Sequence, residues 1–196
     1  MQFSKRVSSM QQSPIRKLVP IAEAAKATGK KVYHLNIGQP DIKTPDAFLN
    51  SIRAFDEEVL KYSFSQGIPE LTDALIKYYK RYNIEYERDE ILITNGGSEA
   101  LLFSLLAIAD PGEDVLVPEP FYTNYNGFAT AIGVNINAVT TKATDGFHLP
   151  SREDVVAKLT PKTKAILLSN PGNPTGVVYT NEEIKMIASI AKEYDL

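Results

Sequence analysis

Two short stretches bring together residue types that could hold a ligand by hydrogen bonds. In "TNGGSEA" (94–100), two glycines precede Ser98 and Glu99 between an apolar run and a helical pattern. Glycines let the backbone turn sharply, and a helix start offers N–H groups with no partner in the helix. Gly97, Ser98 and Glu99 thus form either an anion site suited to a phosphate or a tight turn with Ser98 as its cap. No Gly-x-Gly-x-x-Gly and no Gly-Lys-Ser/Thr occurs, so this is neither a dinucleotide fingerprint nor a P-loop. In "LLSNPGNPTG" (167–176), an apolar run stops in a loop stiffened by two prolines. Asn173 sits between Gly172 and Pro174. A stiff loop can aim an amide that both donates and accepts hydrogen bonds; alternatively it merely reverses the chain.

Three further positions follow the same logic. "LNIGQPD" (35–41) breaks an extended segment at Gly38, where a backbone N–H could meet a substrate carboxylate or form an ordinary turn. "KYSFSQGIPEL" (61–71) places Tyr62 ahead of a glycine and a helix start; its phenol could bond a phosphate oxygen or stand half-buried with its hydroxyl in water. Tyr122, in "PEPFYTNY", follows a strand end and could stack on a flat ring or pack in a core. His34 and His148 have no partner at metal-ligand spacing, and the acidic clusters read as solvated helix faces.

The elements that must position these residues alternate. Helical patterns cover residues 15–28, ended by Gly29, then 46–60, then a helix opened by Pro69 with Leu71, Ala74, Leu75, Tyr78 and Tyr79 on one face. "ILIT" (91–94) reads as a strand, followed by a helix apolar nearly all round and therefore buried. "DVLVPEP" is strand then turn, 121–131 helix and "VNINAVT" strand. Ser151 with Asp154 marks a helix start. "KAILLSN" lacks alternation, as a strand covered on both faces does. Thr180 with Glu183 forms a capping box before the last helix. The expected fold class is α/β, a mainly parallel sheet of about four strands with flanking helices, incomplete at Leu196. Residues 1–45 read as an arm or small-domain segment, and 46–196 as the front part of a larger ligand-binding domain. The sheet's unfinished edge suggests the front part of a longer protein.

The 196 residues are 43% hydrophobic and 23% charged, with net charge −3 and no cysteine. Scattered charge of this balance argues against nucleic-acid or anionic-membrane partners. Absence of cysteine excludes disulfides and thiol chemistry, and is what a cytoplasmic location would allow. No apolar run approaches the ~20 residues of a membrane span.

Taken together, "NIGQPD", "YSFSQGIPEL", "TNGGSEA", "PEPFYTNY" and "NPGNPTG" resemble, in order and spacing, the fold-type I pyridoxal-phosphate-dependent aminotransferases of class I/II, from about Ser13 to Leu196. The resemblance implies that Gly97, Ser98 and Glu99 hold the phosphate of pyridoxal 5'-phosphate. It implies that Tyr122 stacks on the pyridine ring and that Asn173 bonds the ring oxygen and faces substrate. Gly38 would help bind the substrate carboxylate. Tyr62 would reach the phosphate of the neighbouring subunit of a homodimer. Substrates would be an amino acid and a 2-oxo acid. Aspartate-specific members usually carry tryptophan where Tyr122 stands. The family's Schiff-base lysine, its aspartate for the pyridine nitrogen and its substrate-binding arginine all come later, so no catalytic residue is expected within the 196 residues; Lys142, Lys162 and Lys164 sit in no matching context. The chain alone is expected to be inactive. A carbon–sulfur lyase or cyclopropane-carboxylate synthase on the same fold, or a non-catalytic half-domain binding phosphorylated ligands or a partner chain, are the alternatives.

Overall fold

A computed structural model describes residues 2–11 and 16–196. The chain divides into two compact units, Met1–Lys31 with Ala100–Leu196, and Val32–Glu99.

The first unit is built on three parallel strands, β1 (Asp114–Glu119), β2 (Asn135–Thr140) and β3 (Thr163–Ile166), in the order β2-β1-β3. β1 pairs with β2 in unbroken register, Asp114 opposite Asn135 through Glu119 opposite Thr140. Its pairing with β3 shifts by one residue after Asp114. Successive side chains of a strand point to opposite faces, and both faces are covered. Val115 and Val117 join Leu105, Tyr125, Ala129 and Val134 on one side. Leu116 joins Val139, Val155, Ile187 and Ile190 on the other. Ala165 and Leu167 pack on the first cluster, Ile166 and Leu168 on the second. This is the two-sided burial expected from the lack of alternation in "KAILL", apolar from Ala165 to Leu168.

Helices α5 (Gly97–Ile108) and α6 (Asn124–Ile132) supply the first face; α7 (Arg152–Val156) and α8 (Asn181–Glu193) supply the second. The expected caps are present. The Ser151 hydroxyl accepts from the Asp154 N–H. Thr180 and Glu183 cap each other's backbone reciprocally. Near the N-terminus lie α1 (Lys5–Ser9) and α2 (Val19–Ala27), the latter led in by a 3-10 turn over Arg16–Leu18. Pro20 stands in the first turn of α2, where its missing N–H costs nothing. Gly29 adopts φ +82° past its end, as expected of a left-handed terminator. Ile15, the expected first residue of this helix, lies outside the described residues. Arg6 of α1 donates to the Ala131 carbonyl of α6 at 3.2 Å.

The second unit holds α3 (Asp46–Arg53), α4 (Pro69–Lys80) and the start of α5. α3 stops at Arg53, short of the expected residue 60. Asp56, Glu57 and Glu58 would have stood at its C-terminus, where the helix dipole repels negative charge. α4 starts at Pro69 as expected, but its apolar face is only partly covered. Leu71 and Tyr78 are exposed, and Thr72 is its one buried residue. Edge-on contacts link Tyr79 with Tyr78 and Tyr86, and Arg88 grips both carboxylate oxygens of Asp73 at 2.7 and 2.6 Å.

Two further expectations are corrected. "ILIT" forms no strand: no neighbouring strand pairs with it among the described residues, and a strand exists only through its ladder. The segment is extended and is held by the Ile93 N–H donating to the Gln66 carbonyl at 2.8 Å. The sheet therefore has three strands among the described residues. The helix after it is apolar but not buried all round, since Phe103, Leu106 and Ile108 are roughly half exposed. One stripe, Leu101 with Leu105 and Ala109 beyond it, meets the sheet.

Candidate functional site

In the first unit, the loop after β3 and the segment after β1 meet at the carboxyl ends of the strands, where parallel sheets gather ligands. Pro118, Phe121, Tyr125, Leu168, Gly172, Asn173, Thr175 and Tyr179 line a crevice there, with a free volume of about 10 Å³. That admits one water at most, so Asn173 sits at the rim of a filled wedge.

The two asparagines of "NPGNPTG" divide the work. The Asn170 Oδ1 accepts from the Tyr179 N–H at 3.1 Å and ties the loop to the chain leading into α8. Gly172 donates to the Val177 carbonyl at 2.7 Å, and Gly176 donates to the Gly172 carbonyl at 2.8 Å, closing the loop on itself. A Cβ on Gly172 would lie 2.6 Å from the Thr175 Oγ1 and 2.8 Å from the Val177 Cγ1. Only glycine fits there. Asn173, framed by these closures, is exposed and bonds to none of the described residues. Its amide is available.

Tyr122 is half-buried beside the first core cluster. Its ring meets Tyr125 edge-on, with centroids 5.6 Å apart and planes at 88°. Tyr125 in turn stacks on Phe121 at 5.9 Å. Burial, with Tyr122 alongside, pushes the Tyr125 phenol up from its ordinary 10, so it stays neutral. The Asn124 Nδ2 donates to the Tyr122 phenol oxygen at 2.7 Å.

In the second unit, Gly96 takes φ +82° immediately before α5. A Cβ on Gly96 or Gly97 would meet nothing within 4 Å, so the space before this turn is open. The Gly97, Ser98 and Glu99 N–H groups and the Ser98 hydroxyl have no acceptor among the described residues. The Glu99 carboxylate instead reaches back to accept from the Asn95 N–H at 2.6 Å. It braces the turn, and only its backbone remains to meet an anion. Converging N–H donors and one hydroxyl at a helix start suit a phosphate. Gly38 is exposed, with open space where a Cβ would stand. Tyr62 is fully exposed, not half-buried in a local core.

Lys164 pairs with Glu113 at 3.1 Å, at the opposite end of the strands from Asn173. His148 is not isolated. Its Nδ1 lies 3.0 Å from the Glu183 Oε2, and Glu183 also accepts from the Leu149 and Thr180 N–H groups at 2.7 Å each. A partner 35 residues away leaves no spacing to read in the sequence. Asn124, Tyr125 and Asn170 were likewise not singled out by spacing. The one legible signal was the repeated asparagine of "NPGNPTG".

Comparison with known proteins shows the family of the chain. The family model described as aminotransferase class I and II matches residues 30–196. The chain is 38% identical to a probable aspartate/prephenate aminotransferase of Aquifex aeolicus, over 97% of this chain and 49% of that protein. It is 35% identical to an aspartate aminotransferase of Thermotoga maritima, over 97% and 51%. Among solved structures, a Thermus thermophilus aspartate aminotransferase mutant superposes with TM-score 0.92 at 33% identity, over the whole of this chain and 52% of that one. The alanine aminotransferase of Pyrococcus furiosus gives 0.89 at 33% identity, over 100% and 50%. The chain thus spans about half the length of the curated relatives it matches. With a match running through every one of the five motifs, the chain belongs to the class I and II aminotransferase family.

Proposed function

We propose that the protein moves an amino group between an amino acid and a 2-oxo acid with pyridoxal 5'-phosphate as cofactor, and that residues 1–196 supply groups that position it. When bound, that cofactor would supply the electron sink that lets the α-proton of the amino acid leave. The Gly97, Ser98 and Glu99 amides and the Ser98 hydroxyl take the phosphate. The Tyr122 ring lies on the pyridine face, and the Asn173 amide donates to the ring oxygen. The Gly38 backbone serves the substrate carboxylate. The exposed Tyr62 phenol serves the phosphate held by a second copy of the chain, in a homodimer. None of these groups moves a proton in the reaction. Lys142, Lys162 and Lys164 are assigned no cofactor-bearing role. A cytoplasmic location fits the cysteine-free composition.

The observation that carries this reading is the unpaired Asn173 amide, held out by a loop closed on itself through Gly172 and Gly176 and tied by Asn170 to the Tyr179 N–H. Pyridoxal phosphate is expected to bind the protein saturably, with Asn173→Ala and Ser98→Ala each weakening it about tenfold, the cost of one charge-assisted hydrogen bond. Relatives named for aspartate, prephenate and alanine set the donors and acceptors to assay. Keto-acid product with an intact carbon skeleton supports amino transfer; sulfide or cyclised product without it overturns the reaction class. The purified 196-residue chain is expected to transfer no amino group, and turnover by it would overturn the lysine assignment.

A further inference from the structure

Tyr122 is poorly placed to fix its own ring. It stands in the four-residue connection between the end of β1 and Asn124, the first residue of α6, and only part of its surface is buried. An aromatic ring on a connection rotates freely about χ2 unless something holds it. Two neighbours do. The Asn124 Nδ2 donates to the phenol oxygen at 2.7 Å, pinning the far end of the ring. The buried Tyr125 presses edge-on against its middle, and is itself wedged by Phe121 at an interplanar angle of 18°.

We propose that Asn124 is a positioning residue: its amide, with Tyr125 as the wall, sets the plane of the Tyr122 ring for the cofactor. This rests on the stacking role assigned to Tyr122 above. Asn124 is suited to the task because it sits on a helix. Its backbone is held by α6, so its short side chain has little freedom, and the restraint passes to the more loosely held tyrosine. The bond also settles the phenol's polarity. An amide N–H is a donor only, so the phenol oxygen accepts from it and the phenol proton remains free to point elsewhere.

The test compares four forms of the protein loaded with pyridoxal phosphate: parent, Tyr122→Ala, Asn124→Leu and Asn124→Asp. Leucine matches the asparagine in size but cannot donate. Aspartate can accept from the phenol, restoring a bond of reversed direction. The readouts are the cofactor dissociation constant and the visible circular dichroism of the bound cofactor at equal saturation, which reports how rigidly the ring is held. Asn124→Leu is expected to weaken binding about three- to tenfold and to diminish the dichroic band. Asn124→Asp is expected to recover most of the band. Thermal midpoints monitor the fold, and Asn124→Ala replaces the leucine variant if that one does not fold. If Tyr122→Ala leaves both readouts at parent values, the stacking role itself is wrong and the inference goes with it. If Tyr122→Ala impairs them while Asn124→Leu does not, stacking stands and the positioning role is overturned. Failure of Asn124→Asp to recover the band beyond Asn124→Leu also overturns it.

Discussion

Gly67→Ala puts the second unit's packing to a quantitative test. Gly67 closes the turn in which its N–H donates to the Phe64 carbonyl at 3.0 Å, with φ at +113°. An L-residue held there carries strain of about 1–3 kcal/mol. Space is also lacking: an added Cβ would lie 2.3 Å from the Ile93 Cγ1 and 2.6 Å from the Ile93 Cβ. Carbon atoms in contact stand about 3.5 Å apart at closest, so one side must retreat by about 1.2 Å. Ile93 cannot do so alone, because its N–H is bound to the Gln66 carbonyl in the same turn. Forced overpacking of this kind costs about 1–3 kcal/mol. The two contributions together predict a loss of about 2–6 kcal/mol. Gly29→Ala is the control: φ is +82° there but no atom lies within 4 Å of the added Cβ, so only strain of about 1–2 kcal/mol is expected. Urea titration of both variants by circular dichroism gives the difference, and hydrogen exchange at the Ile93 amide locates it, with protection lost in Gly67→Ala alone. Equal midpoints for the two variants, or an Ile93 amide as protected as in the parent, would refute the steric argument.

Three other outcomes are expected. Gly172→Ala should cost about 1–3 kcal/mol by urea titration, since the Thr175 and Val177 side chains already occupy the space, and should loosen the frame around Asn173, read as faster exchange of the Gly172 and Gly176 amides. The Asp114 carboxylate, nearly buried, accepts from the Thr160 and Thr163 hydroxyls at 2.6 Å each. Thr163→Val leaves it short of a donor and should cost about 1–3 kcal/mol, while Thr163→Ser should cost much less, by the same titration. The Glu183 carboxyl is resisted by desolvation, yet bonds from Thr180, Leu149 and His148 together hold it below its ordinary 4.5. A depressed folded pKa contributes stability above the unfolded value and loses it as pH falls through the folded one. The chain should therefore lose stability on acidification below about pH 4.5, and Glu183→Gln should flatten that limb; an acid limb unchanged in Glu183→Gln would rule the linkage out.

Much was legible in the chain because its causes are local. Helix boundaries at Pro69, Gly29, Ser151 and Thr180 follow from which residues can start or stop a helix, and each stands where expected. "KAILL" announced burial on both faces because a strand covered on one face alternates. The helix expected over 46–60 stops at Arg53, ahead of the acids at 56–58, and "ILIT" shows the converse of "KAILL". Apolar content shows that a segment seeks a partner, but whether a ladder or a covering layer exists lies elsewhere in the molecule. The five motifs were legible as a set of glycine and proline breaks, since such breaks reflect local backbone demands.

By itself, then, the order of residues determined the parallel α/β plan, the caps and the family, all of which depend on neighbours along the chain or on recurrent motifs. Tertiary structure alone decided which asparagine of "NPGNPTG" braces the loop and which is left free, what holds the Tyr122 ring, and that His148 meets Glu183. Those outcomes depend on distances between atoms far apart in the chain or at spacings with no helical or strand period. Residue order carries no such distances until the sheet and its helices have brought the groups together.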